Sequence, residues 1–209
     1  MEIPRVLRHP APRWLLVVAA ATVVPAAVCV SLVDRSVARA LATYRPSAVW
    51  DDGIGLLEWT IGLPIWPLVS SCVLVAAMAA TWAVRRWRYH APAWTFVAGT
   101  HVVSRFLTTQ LKDATGRLRP SEWLAHGEGA TFFSGGIGFP SGHVVLFASL
   151  ALPIVVLSPR WWPLLVLVVF AGAARVAVGA HFLSDTLAAV TLTAAIAWAV
   201  GWLVRPLRT

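Results

Sequence analysis

A short segment in the second half of the chain, Pro140-Ser141-Gly142-His143, has the composition of an anion-binding helix start. Proline suits the first turn of a helix, where its missing N–H group costs no hydrogen bond. Ser141 and Gly142 leave backbone N–H groups uncovered at a helix N-terminus, which is where phosphate binds readily. The adjacent imidazole of His143 could transfer a proton. Since the same residue types also cap ordinary helices, the segment needs partners elsewhere in the chain.

Polar residues on both sides of that segment are candidates for those partners. Lys112 and Arg119 precede it, and Arg175, His181 and Asp185 follow it. An arginine can bind two phosphate oxygens with its planar guanidinium group, while a lysine acts as a point charge. His181 and Asp185 are four residues apart, so on a helical turn the carboxylate can face the imidazole. If the carboxylate accepts the Nδ1 proton, Nε2 is free to attack phosphorus.

Phosphoryl transfer is the chemistry that these residues predict. A phosphoryl group carries negative charge on three oxygens, so its transfer is catalysed mainly by positioning and charge stabilisation. His181 is the predicted nucleophile, and water would hydrolyse the resulting phosphohistidine. His143, approaching from another helix, is the predicted general acid that protonates the leaving group. The sequence shows no Asp-rich or His-rich metal motif, so we predict a metal-independent reaction without a cofactor.

The composition is that of a polytopic membrane protein. Of the 209 residues, 58% are hydrophobic and only 12% are charged, and the mean hydropathy is +0.73. The net charge of +8 could suggest a nucleic-acid partner, but the arginines are scattered between apolar segments and form no basic stripe. Cys29 and Cys72 both lie in apolar runs, which indicates lipid-buried structural thiols without a disulfide or a zinc site.

The apolar segments predict an all-α fold with six transmembrane helices in a single domain, residues 1–209. The predicted spans cover residues 14–33, 61–84, 93–111, 140–157, 161–180 and 186–204. The first apolar run exceeds the usual length of a signal-peptide core, so a retained helix is favoured over a cleaved signal peptide. Residues 34–60 form a polar connection that could hold a short interfacial helix, and Pro153 predicts a kink.

Basic residues predict how the chain is oriented in the membrane. The N-terminus, the 85–88 turn, Arg160 and the C-terminus together hold nine basic residues and one acid, Glu2. The other three connections, at residues 34–60, 112–139 and 181–185, hold a near balance of both signs. Because basic loops stay in the cytoplasm, both termini are predicted to be cytoplasmic and the polar candidate residues extracytoplasmic.

Each candidate residue also has a purely structural interpretation. Lys112 or Arg175 near a membrane boundary could place its charge at the interface while its aliphatic part stays in the apolar layer. His181 could be a polar anchor, and Asp185 an acidic residue favoured at a helix N-terminus. These separate interpretations do not explain why all of the residues fall on one side of the membrane.

Taken together, the three groups resemble the three-part signature of the type 2 phosphatidic acid phosphatase (PAP2) superfamily, which also includes vanadium haloperoxidases. The matching groups, in the same order, are Lys112-x6-Arg119-Pro120, Pro140-Ser141-Gly142-His143 and Arg175-x5-His181-x3-Asp185. The third group usually opens with Ser-Arg, and Ala174 here removes one hydroxyl contact. The resemblance covers residues 112–185 and implies a PAP2-like helical bundle. It also implies catalysis by His181, His143 and Asp185, and phosphate binding by Lys112, Arg119, Ser141, Gly142 and Arg175.

Other polar and aromatic residues near these groups allow two interpretations each. Arg105 lies seven residues before Lys112, on about the same helix face, and could contact substrate or bind carbonyl groups of a neighbouring helix. His101 lies a further turn along that helix. His126 and Glu128 are interpreted as solvated loop residues. Four apolar residues could form an entrance for a lipid tail or anchor the loop at the interface: Phe132, Phe133, Ile137 and Phe139.

The sequence therefore predicts a lipid phosphatase of the plasma or inner membrane, with a membrane lipid phosphate as its substrate. Short chain length and small polar loops resemble bacterial PAP2 enzymes, and we rank undecaprenyl or another polyprenyl diphosphate first among the substrates. Phosphatidylglycerol phosphate or phosphatidic acid is the alternative substrate, and a lipid phosphotransferase is an alternative activity. Haloperoxidase chemistry is disfavoured because those relatives are largely soluble. A non-catalytic lipid-headgroup binder or transporter would leave the pairing of His181 with Asp185 unexplained, and the oligomeric state stays open.

Overall fold

The structure, a computed structural model, describes residues 12–43, 48–60 and 67–204. These residues form helices and connecting turns without a β-strand, so the predicted all-α class is confirmed. The α-helices of the described residues are α1 (Arg13–Val28), α2 (Asp34–Ala42), α3 (Ala48–Thr60), α4 (Val69–Ala83), α5 (Ala91–Thr115), α6 (Pro120–Ala125), α7 (Gly142–Leu157), α8 (Leu164–Ala177) and α9 (Leu183–Leu203). A π-helical turn, Cys29–Val33, joins α1 to α2.

Some of the sequence-based expectations lie outside the described residues. They concern the basic N-terminal segment 1–11, residues 44–47 of the polar connection, the start of the second predicted span at 61–66, and residues 205–209. Several of the basic residues that orient the chain belong to these segments, so the orientation stays a prediction.

Length and apolar composition identify fewer membrane-crossing helices than the sequence predicts. Among the described residues, three helical segments are long and apolar enough to cross a membrane: Arg13–Ala42, Pro159–Ala177 and Leu183–Leu203. A fourth arises if Val69–Ala83 and Arg85–Ala125, which are bent by 119°, count as one span. The apolar α7 has 16 residues and is about 24 Å long, less than the roughly 30 Å of a bilayer core. The predicted number of six transmembrane helices is therefore not confirmed.

The centre of the helical bundle is α7, which packs against α5, α8 and α9. Its sequence is apolar around the whole helix, so residues on every side of it are buried, and it continues through Pro153. The long α1 packs along α9. Peripheral helices instead leave large apolar side chains exposed, with Val17 65%, Leu32 73% and Val169 71% exposed. An exposed apolar surface of this kind is expected where a protein faces lipid.

The loop between α6 and α7 folds back against the end of α5. That helix ends at Gly116, which has a φ of 50° and donates its N–H to the carbonyl of Lys112 at 3.0 Å. The carbonyl of Arg117 accepts the N–H of Gly138 at 2.7 Å. A Cβ added at Gly136 would lie 2.3 Å from the same carbonyl oxygen, so only glycine allows this approach. The loop thereby places the start of α7 beside the residues that follow α5.

Candidate active site

A cavity of about 230 Å³ lies where the end of α5, the starts of α6 and α7 and the end of α8 meet. Its lining residues are Arg105, Lys112, Arg119, Gly142, His143, Leu146, Arg175 and His181. Six of the eight predicted catalytic and phosphate-binding residues thus share one cavity, although they come from widely separated parts of the sequence. Four cationic side chains and two imidazoles line it, and this charge suits a small anion such as a phosphoryl group.

His181 occupies the turn between α8 and α9 and is buried. Its backbone N–H donates to the carbonyl of Arg175 at 3.1 Å, which fixes the turn. Its Nδ1 lies 2.8 Å from the carbonyl oxygen of Gly138, whereas the predicted acceptor, Asp185 Oδ2, lies farther away at 3.6 Å. A carbonyl oxygen can only accept, so Nδ1 carries the hydrogen and Nε2 keeps a free lone pair. The tautomer is the predicted one, but the nearest group that fixes it is a backbone carbonyl.

Burial lowers the pKa of His181 below its ordinary value, and the positive charges of Lys112 and Arg175 lower this pKa further. The carboxylate of Asp185 acts in the opposite direction and offsets part of the decrease. The neutral imidazole is therefore the favoured form at neutral pH. A neutral imidazole with a free Nε2 can act as a nucleophile.

Asp185 binds a buried arginine that the sequence analysis did not assign to the site. Its Oδ1 accepts a hydrogen bond from Nη1 of Arg117, and its Oδ2 accepts the backbone N–H of Phe182 at 2.8 Å. The Arg117 guanidinium carbon lies 4.5 Å from the centre of the Phe182 ring and 4.4 Å from that of Phe132. The ion pair with Arg117 and the hydrogen bond from Phe182 thereby hold Asp185 in place. It lies in the first turn of α9, close to His181.

A second carboxylate, Asp34, completes this buried cluster from the N-terminal half of the chain. Its Oδ2 accepts hydrogen bonds from Arg117 Nη2 at 2.7 Å and from Ser184 Oγ at 2.5 Å. Its Oδ1 accepts the backbone N–H of Ser184 at 3.1 Å. Arg117 lies only two residues before the predicted site residue Arg119, yet the sequence analysis did not assign it to the site. In the sequence, Asp34 and Arg117 both resemble solvated charges of a loop. Their side chains are each only 1% exposed, so burial reveals a role that residue type alone did not.

His143 also has a partner that was not predicted as a site residue. Its Nε2 lies 2.5 Å from Oε1 of Glu58, in α3, and both side chains are partly exposed. Because the two residues are 85 positions apart, no sequence spacing could connect them. Glu58 lies in the polar connection 34–60, where an acidic residue is normally interpreted as solvated.

The start of α7 differs from the predicted anion cradle. Gly142 lines the cavity as expected, but the N–H of Ser141 donates to the backbone carbonyl of Asp185 at 3.1 Å and is not directed at an anion. The hydroxyl of Ser141 is buried without a hydrogen-bond partner among the described residues. The reason for the difference is tertiary packing, because the start of α7 lies against the first turn of α9. Lys112 lines the cavity while its Nζ donates to the carbonyl of Ile137.

Arg105 binds a backbone carbonyl, one of the two roles that the sequence left open. Its Nη2 donates to the carbonyl of Pro67 at 2.9 Å, and its side chain also lines the cavity, so contact with substrate stays a prediction. One turn before Arg105 in α5, His101 is fully buried between two serine hydroxyls. Its Nδ1 lies 2.8 Å from Oγ of Ser149, and its Nε2 lies 3.1 Å from Oγ of Ser70. His101 therefore links α4, α5 and α7 and does not line the cavity.

The four apolar residues of the loop before α7 divide into two pairs. Phe133 and Ile137 are exposed, as a lipid-facing entrance or anchor requires, whereas Phe132 and Phe139 pack around Arg117. His126 is exposed as predicted. Glu128 is exposed as well but binds Arg39, with the Arg39 Nη2 2.5 Å from its Oε2.

The sequence pattern of the PAP2 superfamily matches residues 92–208, which is more than half of the chain. The chain belongs to the PAP2 superfamily. The crystal structure of a transmembrane PAP2-type phosphatidylglycerolphosphate phosphatase from Bacillus subtilis has a similar fold, with a TM-score of 0.52 and 22% sequence identity. The similarity covers 96% of this chain and 94% of the Bacillus chain. No curated protein matches the sequence.

This membership confirms the family that the three residue groups predicted, and the fold is that of a membrane PAP2 phosphatase. The match begins at residue 92, within α5, so α1 to α4 lie outside the family pattern. Asp34 and Glu58 belong to that unmatched half of the PAP2 protein. Both nevertheless bind residues of the matched half, at Arg117 and His143 respectively.

Proposed function

We propose that this PAP2 protein is an integral membrane lipid phosphatase that removes the terminal phosphate of a lipid monophosphate or diphosphate. The observation that carries the proposal is the cavity in which four cations surround two imidazoles. Arg119 supports it further, because its Nε is buried without a hydrogen-bond partner among the described residues. A phosphoryl oxygen would satisfy that donor.

The proposed reaction has two steps. In the first, Nε2 of His181 attacks phosphorus while the bond from phosphorus to the leaving oxygen breaks, and His143 gives a proton to that oxygen. The leaving oxygen is the lipid alkoxide oxygen of a monophosphate or the bridging oxygen of a diphosphate. Lys112, Arg119 and Arg175 stabilise the charge on the three other oxygens. In the second step, water attacks the phosphohistidine and phosphate leaves. No group of three or more His, Cys, Asp or Glu residues suited to a metal ion occurs among the described residues. In the proposed mechanism, Lys112, Arg119 and Arg175 supply the charge stabilisation that a metal ion could otherwise provide.

The proposed topology keeps the six spans of the sequence analysis. α1 forms the first span, and α4, α5, α7, α8 and α9 form the others. Because α7 is surrounded by other helices, its short length creates little mismatch with lipid. Both termini would lie in the cytoplasm, and the cavity would open toward the outer leaflet of the plasma or inner membrane. The exposed apolar side chains of α1 and α8, among them Val17 and Val169, support the placement of these helices against lipid.

Polyprenyl diphosphate is the substrate that we rank first. The only helix between α5 and α7 in the described part of the chain is the six-residue α6, which leaves little protein to recognise a large headgroup. Phosphatidylglycerol phosphate is the second candidate, favoured by the fold shared with the Bacillus phosphatidylglycerolphosphate phosphatase. Turnover of undecaprenyl diphosphate, phosphatidylglycerol phosphate and phosphatidic acid in one detergent distinguishes them.

The decisive test is release of free phosphate by the wild-type protein and by two variants. His181→Ala should abolish release and His143→Ala should lower it by about 10²–10⁴-fold, the usual contribution of a general acid. His126→Ala is the matched control, because His126 is exposed in the loop outside the cavity. Full activity of His181→Ala would refute the mechanism. Headgroup binding without turnover would support a binding protein, and phosphate transfer to an added alcohol without free phosphate would support a phosphotransferase.

A further inference from the structure

The contact between Glu58 and His143 joins the general acid of the proposed mechanism to a helix outside the PAP2 match. Glu58 lies in α3, and its Oε1 is 2.5 Å from Nε2 of His143. A carboxylate oxygen accepts, so the hydrogen lies on Nε2. Glu58 is not among the residues that line the cavity, whereas His143 is. The glutamate thus contacts the imidazole without lining the space in which a phosphoryl group would bind.

The charges around His143 explain why such a partner is needed. Arg175, at the end of α8, and His181, in the following turn, line the same cavity as the His143 imidazole. Lys112 and Arg119 carry further positive charge into the same cavity. Positive neighbours oppose a proton on an imidazole, although a general acid needs that proton. The lining of the cavity contains no carboxylate among the described residues, and Glu58 places a negative charge directly beside His143.

We propose that Glu58 is a positioning residue that orients His143 and favours the protonated imidazole, which gives its proton to the departing oxygen. The inference rests on the proposed phosphatase function. In the first step, the electron pair of the bond between phosphorus and the leaving oxygen, alkoxide or bridging, stays on that oxygen, which takes a proton from His143. In the second step, the water that attacks phosphorus returns a proton to His143. Glu58 remains a carboxylate throughout and forms no bond to substrate.

A double-mutant cycle tests whether Glu58 acts through His143. Glu58→Gln should lower kcat for a lipid monophosphate such as phosphatidic acid, whose alkoxide leaving oxygen needs a proton, by about 10–100-fold, a part of the full contribution of a general acid, with little change in KM. In the His143→Ala background the same substitution should lower kcat by less than about threefold, because its target is already absent. Glu128→Gln is the matched control, since Glu128 is an exposed glutamate on a loop outside the cavity.

Dependence on the leaving group provides a second readout. 4-Nitrophenyl phosphate has a good leaving group that needs little protonation, so Glu58→Gln should retain most of the wild-type kcat for this ester. Retention would also show that the variant is folded. An equal loss with lipid phosphate and aryl phosphate, or an equal loss in the wild-type and His143→Ala backgrounds, would overturn the role of Glu58 alone. Absence of phosphate release by the wild-type protein would instead overturn the function on which it rests.

Discussion

Replacing Asp34 by asparagine removes one charge from the buried cluster at almost constant volume. The carboxylate accepts three hydrogen bonds: one from Arg117 Nη2 at 2.7 Å and two from Ser184, through Oγ at 2.5 Å and the backbone N–H at 3.1 Å. An amide has one oxygen, so either Arg117 or the Ser184 N–H then faces an NH₂ group. The variant therefore loses an ion pair and gains an unfavourable donor–donor contact.

The expected loss of stability follows from the burial of these groups. Removing one partner of a buried ion pair costs about 3–5 kcal/mol, because the remaining charge stays buried. Arg117 keeps its second carboxylate, Asp185, so the lower end of about 3 kcal/mol is expected. For a chain of this size that corresponds to a decrease in melting temperature of roughly 6–12 °C. Activity should also fall by about tenfold or more, since the first turn of α9 carries both Ser184 and Asp185 beside His181.

Thermal unfolding in detergent micelles, followed by loss of helical circular dichroism, measures this decrease. Arg39→Gln is the matched control. It breaks an ion pair with Glu128 in which the side chains are 55% and 38% exposed, and it should leave the melting temperature unchanged. If Asp34→Asn melts at the wild-type temperature with wild-type kcat, the buried cluster contributes nothing to the site, and the argument from burial is refuted.

Three further predictions concern pH, the loop before α7 and metal ions. Burial and nearby cations lower the pKa of His181, so the neutral nucleophile should persist below pH 6.5. The acid limb of a plot of kcat/KM against pH should therefore lie below pH 6.5, and a limb above that pH would contradict the assignment of His181 as the nucleophile. Gly136→Ala places a Cβ 2.3 Å from the Arg117 carbonyl oxygen and should cost roughly 1–3 kcal/mol of stability, whereas Gly129→Ala, which meets nothing within 4 Å, should be neutral in the same unfolding measurement. Dialysis against EDTA should leave phosphate release unchanged, and recovery of a lost activity by added Mg²⁺ or Zn²⁺ would disprove a metal-independent mechanism.

The membrane bundle could be predicted from sequence to the extent that each helix is a continuous apolar run. The predicted spans at 93–111, 140–157, 161–180 and 186–204 correspond to α5, α7, α8 and α9, with shifted ends. Shifts arise where polar residues continue a helix, as Lys112 does at the end of α5. The number of membrane-spanning helices could not be established from apolar runs alone. A helix as short as α7 does not meet the length expected of a spanning helix, and its central position is shown only by its burial among neighbouring helices.

The grouping of the site residues was predictable for a topological reason. Residues at alternate ends of successive apolar spans must reach the same side, so Lys112, His143, Arg175 and His181 were expected together, and all four line one cavity. The contacts that hold them were not predictable. Glu58 is a single acidic residue in a polar connection, and no local pattern distinguishes a glutamate that binds a histidine 85 positions away from a solvated one.

Hydrogen bonds of the backbone account for the other differences. A sequence shows which side chains could pair at a given spacing, and the spacing of His181 and Asp185 correctly brings their side chains near each other. It does not show that the carbonyl of Gly138 lies closer to Nδ1, or that the N–H of Ser141 binds the carbonyl of Asp185. Both contacts depend on how the loop before α7 folds against α9.

The two carboxylates contributed by α2 and α3 limit how this protein can be recombined with its relatives. A chimera that joins the first 91 residues of another family member to residues 92–208 of this chain would retain every residue of the shared pattern. Such a chimera would contain the whole sequence motif. It would lack the two proposed partners of Arg117 and His143 unless the donor also supplied acids equivalent to Asp34 and Glu58. Exchange of halves between such proteins should therefore succeed only where those two acids are inherited along with the helices that carry them.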